Sequence, residues 1–501
     1  SSAHFFVWLP MALNAVPMMR MLLALTLACG TYSVVLPILL CLRLLVYLVI
    51  DLPCRLFIRI CSKSEKRSAM RVEDAFMFME TKENRCNIVA AIELEGCPMD
   101  VITLSGVIER TLLAAEGSSL TDGLTHPRWP RFKQRPVQTW AGWFWEDVRD
   151  DFDLSQHIKV EAGAATLQTL ADLLARLQSE PVDRTRPLWD VVLAPYSKSG
   201  GCTVVFRLHH AIGDGLAIVR VLLQMMDADS RAEPAPVGFR GGWNFLECTR
   251  ILFWAPLLAV EQLFVAFDRG PLKPHCFTGI KRASLATETK LQRIKDLAQA
   301  KQSTISAIVA ACFASALVQC GLAGGRQETK FWVPVSMRAV ADEAAEMRND
   351  LSFVMMPLIT GSSSVVETLR KTDEVIRQLK MSCTAPALLL VLRAVMHLLP
   401  LPVAQPFLDM IGSKASGVYS SVPGPTSKLQ WGGYCVASLR FLVPQRAGFA
   451  TGLSAVSYAG DLYIGVSADE AALANVEGVI SAWHDALQEL ERSVNGLGSG
   501  L

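Results

Sequence analysis

Thr203-Val204-Val205-Phe206-Arg207-Leu208-His209-His210-Ala211-Ile212-Gly213-Asp214-Gly215 is the stretch from which the chain is read. Its β-branched, apolar start predicts a buried strand that stops at two adjacent histidines. Gly213 and Gly215 supply permissive backbone for a tight turn, with Asp214 between them. Beyond the turn, Leu216, Ile218, Val219, Leu222, Leu223 and Met226 recur at helical spacing. Histidine titrates nearest neutral pH, so two imidazoles at the mouth of a strand–turn–helix suit proton transfer from a hydroxyl. Neighbouring side chains on a strand point to opposite faces, so His209 and His210 are expected to do different jobs. Asp214 either orients a histidine or pairs with an arginine and fixes the turn. A histidine pair simply packed at a strand end is the plainer alternative.

The segment His209–Gly215 resembles the HHxxxDG motif of the CoA-dependent acyltransferase superfamily, and its surroundings resemble the wax ester synthase/diacylglycerol acyltransferase family. Upstream, Pro181-Val182-Asp183-Arg184-Thr185-Arg186-Pro187-Leu188-Trp189 is similar to that family's pLDrsrPLW segment, and Phe152–His157 to its FDlxxH. Downstream, Val333–Arg338 is similar to its vPVSlR and Ser420–Pro425 to its SNvPGP. The similarity runs in order from about Arg71 to about Val494. Ser421 stands where the family has Asn, and Asn349-Asp350-Leu351 only loosely follows an Asn-Gly-containing strand entry.

The resemblance implies an α/β fold of two chloramphenicol-acetyltransferase-like domains with a central tunnel. It implies acyl-CoA as co-substrate, with no bound cofactor and no metal. It makes His210 the general base, with His209 and Asp214 shaping the turn and holding the imidazole's tautomer. Pro187, Leu188, Trp189, Ser336, Asn349, Ser421, Pro423 and Gly424 become candidates for substrate contact, though core packing is the alternative for Trp189. The oxyanion donors are left open, with Asn349 and backbone amides near Gly215 as candidates. Arg338 is a candidate partner for Asp214, against the alternative of a solvated surface arginine.

Composition narrows the function classes. Charged residues are 19% and hydrophobic ones 51% of 501, which is apolar for a soluble enzyme and points to a lipid surface. A net charge of +1 gives no electrostatic case for nucleic acid. Thirteen cysteines, an odd number without a C-x-x-C, fit reduced thiols in a cytosol-facing protein better than a disulfide framework or a zinc site. The absence of G-x-S-x-G, P-loop, G-x-G-x-x-G and H-E-x-x-H motifs weakens serine-hydrolase, nucleotide-driven and zincin readings.

The chain begins with Ser1 rather than Met, as an incomplete or processed chain does. Residues 1–68 are expected to form a membrane anchor. Met21 to Leu42 carries no charge and is long enough to cross ~30 Å of hydrocarbon, with Pro37 kinking it; a buried core helix is the alternative. The apolar run Phe5 to Met19 reads as a shorter membrane or interfacial segment, and residues 43–60 as a helix in the headgroup layer. Arg43, Arg55, Arg59, Lys63 and Lys66 against Arg20 place the rest of the chain on the cytosolic side.

Residues 69–230 then form a first domain bearing the histidines, 231–289 a crossover with an apolar helix, and 290–495 a second domain. Trp129, Trp140, Trp143, Phe144 and Trp145 crowd an expected loop that lines an acyl channel, meets a membrane interface or packs as core. Met381 to Ile411 is apolar enough to bury between domains or to face lipid. Together these readings predict a membrane-bound O-acyltransferase using acyl-CoA and a lipid alcohol, either a fatty alcohol or diacylglycerol. The expected location is the endoplasmic reticulum or a lipid-droplet surface. The alternatives are an acyltransferase with a sterol, amine or small-alcohol acceptor, and a non-catalytic lipid-binding protein. The D-F-G-W-G motif of plant-type alcohol acyltransferases is absent.

Overall fold

The computed structural model describes residues 17–46, 67–118, 125–139, 142–227, 245–323, 325, 328–338, 346–399, 401–446 and 448–498. Residues 47–60 of the expected headgroup-layer helix 43–60, most of the run Phe5–Met19, and Trp140 lie outside them.

The N-terminal apolar segment is one helical run, α-helical over Pro17–Gly30 and Leu36–Val46 with a π-turn at Thr31–Val35 between them. Pro37 has no N–H for an intrahelical bond, and the wider turn lies where the helix adjusts to it. Met21–Cys41 is the one unbroken helix among the described residues long and apolar enough to cross a membrane. Its small face rests on the helix Phe245–Phe264: Ala24 packs with Leu257, and the Tyr32 hydroxyl donates to the Leu252 carbonyl at 2.7 Å.

Two mixed sheets carry the rest. The first orders its strands Gln430–Trp431, Tyr434–Leu442, Asn87–Leu94, Cys202–His209, Trp189–Ala194 and Ile158–Val160. The second orders Lys281–Leu285, Asp461–Asp469, Thr451–Tyr458, Gly417–Pro423, Glu328–Ser336 and Leu351–Ile359, with Thr289–Lys290 also on Asp461–Asp469. Gly417–Pro423 is parallel to both its neighbours. Asn87–Leu94 and Cys202–His209 are central and almost wholly buried, so they read as continuous apolar runs rather than strict alternation. Local signals place the helices well. Asp100 caps Val101–Thr111 by accepting from Thr103 N at 2.7 Å, and Thr166 caps Leu167–Ser179 in a reciprocal box with Thr169.

Pairing crosses the expected domain boundaries. Lys281–Leu285 and Thr289, read as crossover, lie in strands of the second sheet. Tyr434–Leu442, read as part of the second domain, pairs antiparallel with Asn87–Leu94 in the first sheet. Apolar patterning marks a segment as strand but does not name its partner. The aromatic loop is instead a hairpin, Gln134–Thr139 with Gly142–Asp147, edged by Arg67–Ala69. Trp129 and Trp145 are core, and Trp143 stacks on Phe78 at 4.3 Å. The run Met381–Ile411 resolves into the end of one helix and two more, Thr384–Leu398 and Leu401–Gly412.

Candidate active site

The strand Cys202–His209 ends at the first histidine, a single 3₁₀ turn holds His210–Ile212, and Asp214 opens the helix Gly215–Met225. His210 N donates to the Cys86 carbonyl at 2.8 Å, which turns its half-buried ring away from the strand. The ring's Nδ1 meets Asn349 Oδ1 at 2.8 Å. Asn349 Nδ2 donates to the His210 carbonyl at 2.8 Å and to Asp74 Oδ1 at 2.9 Å. Both amide hydrogens are therefore spent on acceptors, so the amide oxygen faces Nδ1 and Nδ1 carries the hydrogen. Nε2 keeps its lone pair. Burial pushes the imidazole below its ordinary value of 6.5, against the opposing pull of Asp214 and the Asn349 bond, so the neutral, basic form is favoured.

This ring lies on the wall of a cavity of about 260 Å³ between the two sheets. The walls are almost wholly apolar, from Ile88, Ile218, Trp332, Phe353, Leu392 and Leu408 among others. The two cavity arginines are tethered. Arg446 reaches Asp409 at 3.1 Å and lies 3.9 Å from the centre of the Phe76 ring, while Arg440 donates to the Ala286 carbonyl at 2.7 Å. A slot of this kind accepts an alkyl chain and excludes water.

Asp214 works away from the imidazole. Its Oδ1 caps the helix by accepting from Ala217 N at 2.9 Å, and its Oδ2 accepts from Asp350 N at 2.8 Å. Arg338, fully buried, approaches the carboxylate at 3.3–3.4 Å and donates to the Arg348 carbonyl at 2.6 Å. The pair ties the histidine turn to the loop that presents Asn349.

A model of the wax ester synthase/diacylglycerol acyltransferase catalytic domain matches residues 73–243, and one of the WS/DGAT C-terminal domain matches residues 347–491. The chain belongs to this family. It is 23% identical over 411 residues to a Mycobacterium tuberculosis protein named as a diacylglycerol O-acyltransferase, covering 73% of this chain and 88% of that one. Its fold matches the wax ester synthase/diacylglycerol acyltransferase of Marinobacter aquaeolei VT8 with a TM-score of 0.60 at 20% identity, over 85% of this chain and 100% of that one. It also matches the starter condensation domain of rhizomide synthetase RzmA in complex with C8-CoA, TM-score 0.53 at 14% identity, over 86% and 95% of the two chains. The protein is an acyltransferase of the α/β type that these folds share. The Mycobacterium and Marinobacter proteins are bacterial, so nothing in them specifies the endoplasmic reticulum or lipid droplet expected from sequence.

Several sequence expectations are corrected by the acyltransferase's geometry. Asn349 is not free to be an oxyanion donor, because its amide hydrogens are taken and its oxygen faces His210. The imidazole's tautomer is held by Asn349, not by His209 or Asp214. Pro187, Leu188, Trp189, Ser336, Ser421, Pro423 and Gly424 do not line the cavity. Leu188 and Trp189 are core, with Trp189 Nε1 donating to the Phe132 carbonyl at 3.0 Å. Side chains alternate along Gly417–Pro423, so Ser420 and Val422 face the cavity while Ser421 and Pro423 are exposed. Ser336 instead accepts from Arg338 N at 3.3 Å. Neither turn glycine uses left-handed backbone. Gly213 is extended, and an added Cβ there would press on Ala217 Cβ at 3.3 Å. Gly215 keeps the cavity open, since a Cβ there meets nothing within 4 Å.

His209 points to the other face, as strand geometry requires. Its Nδ1 accepts from Ala211 N at 3.1 Å, and its Nε2 lies 3.4 Å from Glu80. Glu80 also accepts from Cys86 N at 2.7 Å and Arg184 at 2.7 Å. Burial acts to raise this carboxyl, but His209, Cys86 N and Arg184 outweigh it and hold it at about 2. Sequence reasoning misses Glu80 and Asp74 as site residues. Asp74 sits beside Glu73 at the head of an apolar turn and Glu80 opens the polar run Glu80–Arg85, so neither stands out in the sequence.

Proposed function

We propose that this acyltransferase moves a fatty acyl group from acyl-CoA onto a lipid alcohol, with His210 as general base. What carries the reading is a neutral imidazole, its Nδ1–H given to Asn349, set into the wall of an apolar cavity. The alcohol oxygen attacks the thioester carbon while Nε2 takes its proton. The tetrahedral intermediate then collapses, the C–S bond breaks, and the proton on Nε2 passes to the departing sulfur. Ester and CoA thiol are the products, so no redox partner is called for. With Asn349 committed, backbone amides at the start of the helix Gly215–Met225 are the proposed donors to the developing oxyanion, where the helix dipole favours negative charge. The alkyl chain of the donor or acceptor lies along the apolar walls. Acyl-CoA as donor is in keeping with the fold neighbour that holds C8-CoA.

We further propose that Met21–Cys41 holds the enzyme at a membrane with the catalytic part on the cytosolic side. The helix packed beside it, Phe245–Phe264, leaves Phe245 89% and Leu246 76% exposed. Its Ala259 and Gln262 line the cavity together with Leu388 and Leu408 of the following apolar helices. That arrangement suits an acceptor that reaches His210 from the bilayer. The test uses purified protein in detergent, one long-chain acyl-CoA, and competing fatty alcohol and diacylglycerol, with released CoA read by a thiol dye and esters separated by polarity. His210→Ala should lose ~10²–10⁴ in turnover while expressing normally. Near-normal turnover would remove the base role.

A further inference from the structure

We propose that Asp74 is a positioning residue for the reaction: through Asn349 it selects the imidazole tautomer that makes His210 a base. The inference rests on the His210 reading above and concerns a residue from the other end of the site, in the short helix Val72–Phe76.

Asp74 is fully buried, and one oxygen does two things. Asp74 Oδ1 accepts from Asn349 N at 2.9 Å and from Asn349 Nδ2 at 2.9 Å. The first bond fixes the backbone that presents the amide; the second fixes which end of the amide faces the ring. An amide is nearly symmetric in shape, so packing alone does not distinguish its two orientations. Chemistry does. In the observed orientation the two Nδ2 hydrogens go to Asp74 Oδ1 and the His210 carbonyl, and Oδ1 receives Nδ1–H. Turned over, the amide would set its oxygen against a carboxylate and a carbonyl and would offer N–H to Nδ1. The imidazole would then accept at Nδ1, carry its proton on Nε2 and have no lone pair for the alcohol.

The two acceptors that enforce the orientation differ in origin. The carbonyl belongs to His210 itself, and Asp74 is the independent one. Removing Asp74 therefore leaves the cavity and the histidine turn in place while releasing both the amide and the Asn349 backbone N–H. Around this chain of contacts the charged and titratable neighbours are Asp214 and His209 on the imidazole side and Arg131 and Arg71 on the Asp74 side. Burial raises the Asp74 carboxyl to about 6, against the opposing Asn349 bonds and the two arginines. An acid in either protonation state still has an oxygen able to accept, so orientation depends on the presence of that oxygen.

The experiment compares Asp74→Ala and Asp74→Asn in the purified full chain, with melting temperature as the folding control. Asp74→Ala should lower kcat by roughly 10–100-fold, within what general-base catalysis contributes, with KM for acyl-CoA within about twofold because the cavity walls are untouched. Asp74→Asn, whose Oδ1 can accept both bonds, should recover most of the lost rate. Across pH the Ala variant should show a lower plateau with its acid limb unmoved, since a wrong tautomer is not cured by removing protons. The inference is overturned if kcat of Asp74→Ala stays within a factor of two of the unaltered enzyme. It is also overturned if Asn and Ala lose rate equally, or if the acid limb moves and the plateau stays. Should Asp74→Ala not fold, Asp74→Val takes its place with the same outcomes, as it fills a similar volume but offers no acceptor. His210→Ala run alongside separates the two claims. If that variant turns over normally the base reading fails; if it is inactive while Asp74→Ala is normal, only the positioning inference fails.

Discussion

Arg338→Met is expected to destabilise the protein by about 3 kcal/mol, and the structure sets that size. Arg338 is fully buried, so its charge has no water to fall back on. Its contacts to Asp214 are 3.3–3.4 Å, longer than the 2.7–2.9 Å of a strong charge-assisted bond. Asp214 also keeps two backbone donors, Ala217 N and Asp350 N, when the guanidinium is gone. Breaking a buried pair costs ~3–5 kcal/mol, and both facts put this one at the lower end. Asp214→Asn keeps an oxygen to cap the helix but strands the Arg338 charge, for a cost of about 2–3 kcal/mol. The double variant removes both charges and should cost little more than either single one. A coupling of about 2 kcal/mol should therefore appear in a double-mutant cycle built from urea midpoints in one detergent. Additivity within ~0.5 kcal/mol would show that the pair does not act as a unit, and the strut would have to be abandoned. Because the same strut fixes the loop carrying Asn349, Arg338→Met should also lower kcat more than KM.

Three further outcomes are expected from the same geometry. Burial lowers the His210 pKa, and the base form is the deprotonated one, so kcat/KM should fall with decreasing pH only below the ordinary 6.5 and be level at neutral pH; an acid limb centred above 6.5 would contradict the desolvated base. Gly215→Phe places a ring in a cavity that Gly215 leaves open, so use of long acyl-CoA should drop by roughly tenfold more than use of short acyl-CoA, and an unchanged chain-length profile would refute the placement. Deleting residues 1–62 should release the enzyme into the soluble fraction; its recovery in the membrane pellet would show that Met21–Cys41 is not the sole anchor.

What could be read in the sequence, and what could not, divides along a physical line. What neighbours in the chain dictate was legible: the strand into His209, the turn and helix that follow it, and the long apolar N-terminal helix. These depend on periodicity and turn chemistry, which act over a few residues. The Arg338–Asp214 pairing was one of two readings of Arg338, since opposite charge suggests a partner without fixing that residues 124 apart meet. The roles that sequence misassigns are those decided by which face of an element meets which surface. Ser421 and Pro423 lie inside a motif whose order is diagnostic, yet both side chains are exposed. Asn349 is conspicuous for its chemistry, but sequence gives it the wrong task, because an amide can donate or accept and only its partners decide.

Distance along the chain is also why Asp74 carries no signal. Its partner Asn349 is 275 residues away, and its neighbours Val72, Ala75 and Phe76 read as an unremarkable amphipathic turn. A buried carboxylate in such a turn costs free energy unless donors offset it. Three segments distant in the chain, around Asp74, His210 and Asn349, supply those donors to one another only after both sheets have closed together. Assembly of the base is thus a consequence of docking the two halves. A half folded alone would leave Asp74 without its donors and His210 without its orienting amide. Ring orientation, and with it turnover, should therefore be lost by any change that loosens the loop 346–350 from the histidine turn, well before the secondary structure of either half melts.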